Sequence, residues 1–144
     1  MEWTKVTDTL LLAVLAAAAY MDNKNKKINL IFLAASAIAV LLLQVLSGQM
    51  NYADSALGAA LGAALLAWSW LSKETLGYGD GCLIIITGIA LGIVTNLTLL
   101  FCALAVTAIF SGIMLLCRKK KIKDKIAFAP FILAGYVITL GAGL

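Results

Sequence analysis

Long apolar segments alternate with short polar ones along the whole chain. Helices are favoured because a bilayer core about 30 Å thick is crossed by about 20 helical residues. Backbone polar groups inside lipid must also be satisfied internally, and the alternating polar residues of a membrane β-barrel strand are absent from the sequence. The pattern therefore predicts an all-α membrane protein. Its apolar segments cover residues 6–21, 28–46, 53–71, 82–117 and 126–144.

The segment from Cys82 to Cys117 is too long for one crossing. Its 36 residues would form a helix of about 54 Å, so we predict a break at Thr95–Asn96, the only polar pair near the middle. This break brings the predicted number of transmembrane helices to six. Pro130 falls in the first turns of the last helix, where its missing N–H has little effect.

The composition excludes an ordinary soluble domain. Hydrophobic residues make up 63% of the sequence and charged residues only 12%, whereas soluble domains contain about 25% charged residues. Histidine is absent and the three cysteines form no C-x-x-C pair, which argues against a His-based triad and against a zinc site. We expect one membrane-embedded domain over residues 1–144, with neither metal nor cofactor.

The basic residues predict the orientation. With six crossings, the loops at 22–27, 72–81 and 118–125 share one side of the membrane and hold 10 of the 11 Lys and Arg residues. The positive-inside rule makes this side cytoplasmic, so both termini face outward and the protein is a multi-pass protein of the plasma (inner) membrane. The stretch Arg118–Lys125 is then a cytoplasmic loop that contacts anionic lipids, and not a nucleic-acid site.

Small residues are frequent in the third predicted helix. Gly58 and Gly62 form a G-x-x-x-G pair, which allows two helix backbones to approach closely. Packing within the bundle is the favoured interpretation and dimerisation the alternative, and the oligomeric state is left open.

Acidic residues at membrane depth are costly, so each of the seven requires an interpretation. Asp54 and Asn51 are predicted to cap the third helix, and Glu74 is a possible contact for a basic segment of a substrate. Five of the seven acids fit solvation, capping or ion pairing: Glu2, Asp8, Asp54, Glu74 and Asp124.

The other two acids, Asp22 and Asp80, are the candidate catalytic residues. The predicted topology places both on the cytoplasmic side at similar depth. Two neighbouring carboxyl groups do not easily ionise together, so one keeps its proton while the other acts as a base towards water. Such a pair could hydrolyse a peptide bond. The alternative is structural: Asp80 caps the fourth helix and Asp22 is only the polar end of the first.

Three glycines surround the second aspartate in the sequence GYGDG. Gly77, Gly79 and Gly81 have no Cβ, so they are predicted to let the backbone turn sharply and an extended substrate approach.

Three segments together resemble the type IV prepilin peptidases, which are membrane aspartic proteases with a G-x-G-D motif. They are DNKNKKIN from Asp22, GYGD at residues 77–80 and IAFAPFILAG at residues 126–135. Phe128, Pro130 and Phe131 are the part of the last segment that resembles the family's final-helix motif. The resemblance implies an aspartic endopeptidase that removes the basic leader of prepilin-like or preflagellin-like proteins at the cytoplasmic face, after a glycine.

The sequence also departs from that family pattern. Asn29 and Ala127 stand where prolines are usual, and Cys82 stands where a lysine is common. These departures keep open a catalytically degenerate relative that acts as a membrane assembly or scaffold protein. Since no paired C-x-x-C motif is present, the resemblance is to the short form without a methyltransferase domain.

Overall fold

The computed structural model describes residues 2–25, 28–48, 51–72, 77–117 and 127–143. Within these ranges the chain is helical and contains no strand, as the hydrophobic pattern predicts. The helices are α1 (Glu2–Asn25), α2 (Leu30–Ser47), α3 (Tyr52–Leu71), α4 (Tyr78–Leu116) and α5 (Ala129–Gly141).

The helices have the character of membrane spans. Helices α1 to α4 are long and apolar enough to cross a bilayer, while α5 is apolar but has only 13 residues. Large apolar side chains such as Leu46, Val94 and Leu116 are 70–86% exposed, and exposed apolar patches of this kind mark membrane or partner contacts. The chain is therefore a helical membrane protein.

Helix α4 folds back on itself at Gly92. This residue has φ 78° and ψ 178°, outside the helical region. Asn96 Nδ2 donates a hydrogen bond to the carbonyl oxygen of Ile84 at 3.1 Å, and Thr87 Oγ1 donates to Asn96 Oδ1 at 2.7 Å. Residues 84 and 96 of a continuous helix would lie about 18 Å apart, so these contacts require the two halves, residues 78–91 and 93–116, to run side by side.

The predicted break within α4 is thus confirmed, but its predicted position at Thr95–Asn96 is wrong. Polarity placed the break there, yet the polar Asn96 is fully buried and joins the two halves instead of forming the turn. The turn requires a positive φ, which glycine adopts without the steric penalty of a Cβ.

Side chains from neighbouring helices satisfy the backbone groups at this turn. Asp54 Oδ1 accepts a hydrogen bond from the Ile93 N–H at 3.1 Å, and Gln44 Nε2 donates to the Ala90 carbonyl at 2.7 Å. Asp54 therefore caps a helical segment, but this segment is the second half of α4. Asn51 occupies the N-cap position of α3, but its side chain forms no capping hydrogen bond. The prediction that the side chains of Asn51 and Asp54 cap α3 is therefore wrong.

The G-x-x-x-G pair of α3 packs within the protein. A Cβ at Gly58 would overlap the Gly88 carbonyl, and one at Gly62 would lie 2.5 Å from the Ile85 amide nitrogen. Both glycines are buried, and the interpretation as intramolecular packing against the first half of α4 is confirmed.

Contacts between segments show which of them run antiparallel. Gly58 and Gly62 of α3 lie against Gly88 and Ile85 of the first half of α4, so these two segments run in opposite directions, and α1 and α5 do so as well. At one end of the bundle, Asp22 near the end of α1 contacts Ala129 at the start of α5. At the other, the Tyr136 hydroxyl lies 3.2 Å from Asp8 Oδ1, near the start of α1. With α4 counted as two halves, the described residues form six helical segments.

Candidate active site

Asp22 lies in the last turns of α1 and is only 8% exposed. Its Oδ2 accepts a hydrogen bond from the backbone N–H of Ala129 at 3.2 Å. Ala129 is the first residue of α5, and a helix N-terminus has free N–H groups and a partial positive charge that attract a carboxylate. The start of α5 therefore holds the Asp22 side chain in place.

Asp80 lies in the first turn of α4, as the third residue of the helix. Its backbone N–H donates to the Gly77 carbonyl at 3.1 Å, and its carboxylate interacts with the backbone of Gly77 in turn. Gly77, and not Asp80, occupies the N-cap position. The aspartate is thus held by its own first turn, and its side chain is half-buried.

The structure brings the two candidate catalytic residues together. The carboxylates of Asp22 and Asp80 are close enough for their charges to interact. Both aspartates lie beside the start of α5. The backbone N–H of Ala129 donates a hydrogen bond to Asp22, and the neighbouring Phe128 lines the same pocket as Asp80. Two acids from different helices therefore lie at the same end of the bundle, as the sequence predicts.

The three glycines around Asp80 have a different structural role from the predicted sharp turn. Gly77 is extended, with φ −66°, and Gly79 and Gly81 lie inside α4. A Cβ at Gly77 would lie 2.9 Å from Asp80 Oδ2, and those at Gly79 and Gly81 would lie 3.0 Å and 2.9 Å from side-chain atoms of Ile28 and Leu66. Glycine is favoured at these positions because a Cβ would crowd neighbouring side chains, and not because the backbone conformation is unusual.

One residue of the last-helix motif lies at the candidate site, and the other two belong to helix α5 and its packing. Phe128 is 9% exposed and lies immediately before α5. Pro130 falls in the first turn of α5, as predicted, and Phe131 packs its ring 5.2 Å from that of Phe110. The group that touches Asp22 is the Ala129 amide, which sequence reasoning missed because a backbone donor has no side-chain signature.

An apolar pocket adjoins Asp80, between α3, the two halves of α4 and the start of α5. Apart from Asp80, the described residues of its wall are hydrophobic residues and glycine. The lining residues are Leu65, Asp80, Gly81, Ile84, Leu100, Leu104 and Phe128.

Two of the departures from the prepilin peptidase pattern have a local structural explanation. Asn29 is the N-cap of α2, where its Oδ1 accepts a hydrogen bond from the Ile31 N–H at 3.0 Å. Cys82 is partly buried and packs against the hydrophobic core. Neither substitution removes a carboxylate or disturbs the start of a helix.

Glu74 and the basic stretch Arg118–Lys125 lie outside the described residues. Among the residues that the structure does describe, no three Cys, Asp or Glu side chains are grouped closely enough to hold a metal ion.

Fold and site define a helical membrane protein with a pair of interacting aspartates at one end of its bundle. Residues 9–115 match the type IV leader peptidase family, and the chain belongs to this family. The matched range contains both aspartates, α2, α3 and all but the last residue of α4, and it ends before α5. Searches of curated proteins and of solved structures found no match.

Proposed function

We propose that the protein is a membrane aspartic endopeptidase that removes the leader peptide of prepilin-like or preflagellin-like proteins. The observation that carries this proposal is that Asp22 and Asp80 both lie beside the start of α5, where Ala129 donates a hydrogen bond to Asp22 and the adjacent Phe128 lines the same pocket as Asp80. These acids come from α1 and α4, and both lie inside the range that matches a leader peptidase family. An apolar pocket also adjoins Asp80.

The proposed chemistry uses the two carboxyl groups and one water molecule. One carboxylate takes a proton from the water, whose oxygen forms a bond to the carbonyl carbon of the scissile peptide. The other, protonated carboxyl group donates its proton to the developing oxyanion. The C–N bond then breaks as the leaving amine takes the proton that the first carboxylate received from water, and the collapsing diol returns a proton to the second carboxylate. Two close carboxyl groups suit this division because their repulsion disfavours double ionisation.

The proposed topology has six crossings, with both termini outside and the aspartates at the cytoplasmic face of the plasma membrane. The antiparallel pairing of α1 with α5 and of α3 with the first half of α4, together with the reversal at Gly92, supports it. So does the charge pattern, because the polar segments next to Asp22 and Asp80 belong to the side that holds 10 of the 11 basic residues. We place the basic leader of the substrate near Glu74, and assign anionic lipids to Arg118–Lys125.

The structure gives little support to the alternative of a degenerate scaffold protein. That alternative rests on the residues that replace the usual prolines and lysine, and Asn29 forms a regular helix cap at such a position. Both carboxylates are present, and Asp22 is held by a hydrogen bond from another helix.

The proposal is tested by co-expressing the protein with a short membrane protein that has a basic leader ending in glycine. Cleavage is followed as a shift in electrophoretic mobility. We expect cleavage by the wild type and none by Asp22→Asn or Asp80→Asn at equal membrane levels. Asp8→Asn is the matched control, since it makes the same change on α1 at the opposite end of the bundle and should cleave normally.

Cleavage that survives in either catalytic variant would contradict the aspartic mechanism. A wild type that cleaves none of several candidate substrates, but supports assembly as well as the two variants do, would favour the scaffold function instead.

A further inference from the structure

The side chain of Ile28 lies against the backbone of Gly79, the residue immediately before Asp80. A Cβ at Gly79 would lie 3.0 Å from Ile28 Cδ1, 3.1 Å from its Cβ and 3.2 Å from its Cγ1. Several atoms of one side chain therefore cover the Cα of this glycine. Ile28 also follows Asp22 by six positions, so a residue close in sequence to one aspartate packs against the helical turn that carries the other.

The position of Asp80 depends on this turn. Gly79 and Asp80 are the second and third residues of α4, and the N–H groups of Asp80 and Gly81 both donate to the carbonyl of Gly77, at 3.1 and 3.4 Å. Because the first N–H groups of a helix have no partner in a preceding turn, the side chains packed against this turn help to hold it in place. A shift of the turn would carry the Asp80 carboxylate with it.

Ile28 is itself held by the start of α2. Asn29, the next residue, is the N-cap of this helix. Its Oδ1 accepts a hydrogen bond from the Ile31 N–H at 3.0 Å, and its backbone carbonyl accepts one from the Leu33 N–H at 3.1 Å. Ile28 is also partly buried and packs against the hydrophobic core. Its side chain is therefore a fixed support for Gly79.

Helix α2 joins the two helices that carry the aspartates. Among the segments that the structure describes, it packs against α1 and α4 and against no other helix. At its far end, Gln44 Nε2 donates to the Ala90 carbonyl at 2.7 Å. The contacts of Ile28 with Gly79 and of Gln44 with Ala90 thus fix both ends of α2 along the first half of α4. The start of α2 then connects α1 to the first turn of α4.

We propose that Ile28 is a positioning residue, which holds the first turn of α4, and with it Asp80, in the place relative to Asp22 that peptide hydrolysis requires. The inference rests on the proposed function and adds to it a residue that touches neither the water nor the scissile bond. Loss of the Ile28 side chain should lower kcat and leave KM nearly unchanged, because the carboxylate moves while the groups that bind the substrate stay in place.

The first test compares two substitutions of Ile28 in purified full-length protein in lipid vesicles, with kcat referred to the amount of folded protein. Ile28→Ala removes Cγ1 and Cδ1 and should lower kcat about tenfold or more, since small misplacements of a catalytic group cost up to about a hundredfold in rate. Ile28→Val keeps Cβ and Cγ1 against Gly79 and should retain most of the wild-type kcat.

Ile89→Ala is the matched control. Ile89 is also partly buried, packs against the same core and lies in the same half of α4, but it is ten residues, or about 15 Å, beyond Gly79. Ile89→Ala should lower Tm as Ile28→Ala does, yet leave kcat at the wild-type value.

The second test uses the contact between Ile28 and Gly79 itself. Gly79→Ala places a Cβ in the space that Ile28 occupies and should lower kcat, whereas Ile28→Ala in the same chain makes room for this Cβ. Residues in contact have non-additive effects, so kcat of the double variant should exceed the product of the two single effects about tenfold or more. Gly81→Ala also flanks Asp80, but its Cβ would lie 2.9 Å from Leu66 Cγ. Combined with Ile28→Ala, it should give the product of the single effects.

Three results would overturn the positioning role. They are a wild-type kcat or a change confined to KM in Ile28→Ala, an equal fall in kcat in Ile89→Ala, and effects of Ile28→Ala and Gly79→Ala that simply multiply. If Ile28→Ala gives no folded protein, Ile28→Val replaces it in the double variant, since valine lacks the Cδ1 atom nearest to the new Cβ. Its kcat should then exceed that of Gly79→Ala about twofold or more, and an equal kcat overturns the proposal.

Failure of the proposed function is distinguishable from failure of this inference. The wild type would then cleave no substrate, or cleavage would persist in Asp22→Asn and Asp80→Asn, and either result overturns both proposals. If the wild type cleaves and both aspartates are required, the Ile28 variants alone decide the positioning role.

Discussion

Asp22 in the first helix accepts a hydrogen bond from the backbone N–H of Ala129 at the start of the last helix, 107 positions further along the chain. This contact explains how a short last helix contributes to the site without supplying an acid. Phe128, immediately before α5, lines the same pocket as residues of α4, and Pro130 lies in the first turn of α5. The free N–H group at that helix end then fixes the orientation of the candidate catalytic carboxylate.

The hydrogen bond predicts different effects for two substitutions of Asp22. In Asp22→Asn, the side-chain carbonyl can still accept from Ala129, so the thermal stability in detergent should stay near that of the wild type. In Asp22→Ala the buried N–H loses its partner, which typically costs about 1–3 kcal/mol. Thermal unfolding monitored by tryptophan fluorescence should therefore give a lower Tm for Asp22→Ala than for Asp22→Asn, while neither cleaves substrate. Equal Tm values would show that the contact contributes no stability.

Gly77→Ala should impair cleavage without unfolding the protein. The backbone of Gly77 has φ −66° and ψ 135°, which alanine adopts readily, but the new Cβ would lie 2.9 Å from Asp80 Oδ2. The carboxylate must then move, and misplacement of a catalytic group by up to 1 Å lowers rates by about tenfold to a hundredfold.

The measurement for Gly77→Ala is the initial cleavage rate together with Tm. Gly112→Ala is its control, since a Cβ at Gly112 would meet no atom within 4 Å. A wild-type rate in Gly77→Ala would mean that the Asp80 carboxylate does not have to occupy its present position.

The sequence predicts the helical class and the division of α4 into two halves, because both follow from the length of the apolar segments. It also predicts that Asp22 and Asp80 lie at the same end of the bundle, because acids are costly in lipid and the basic residues indicate the side of each loop. It does not predict where α4 turns. Polarity favours Thr95–Asn96 as the position of the turn, but the turn needs a residue that tolerates positive φ. Which glycine adopts this conformation depends on the hydrogen bonds that Asp54 and Gln44 of other helices form with the backbone at the turn. The Ala129 donor is missed for a similar reason, because every residue except proline carries a backbone N–H.

The turn of α4 gives a prediction for Gly92. Its φ of 78° and ψ of 178° lie in a region that is essentially restricted to glycine, and a Cβ there would overlap the Asp54 carboxylate. Gly92→Ala should therefore destabilise the protein by at least ~1–3 kcal/mol. Gly112→Ala lies in the same helix and should instead be neutral or stabilising by ~0.5–1 kcal/mol. Similar Tm values for the two variants would contradict the conformation assigned to Gly92.

Substitutions of Asp54 distinguish an acid with a structural role from the two candidate catalytic acids. It lies near a helix end like Asp22 and Asp80, yet its carboxylate accepts a hydrogen bond from the Ile93 N–H and caps the second half of α4. Asparagine caps a helix about as well as aspartate, whereas alanine costs about 0.5–2 kcal/mol. Asp54→Asn should therefore keep both Tm and cleavage, and Asp54→Ala should lower Tm.

The comparison of three Asp→Asn variants makes this prediction decisive. Asp22→Asn and Asp80→Asn should be stable but inactive, and Asp54→Asn should be stable and active, with cleavage and Tm measured on the same membrane preparations. If Asp54→Asn also abolished cleavage at normal stability, the charge of Asp54 would be required for the reaction and the assignment of catalysis to two aspartates would be incomplete. Since Asp54 lies at the α4 turn and Asp80 at the start of that helix, such a result would require the two regions of α4 to be coupled.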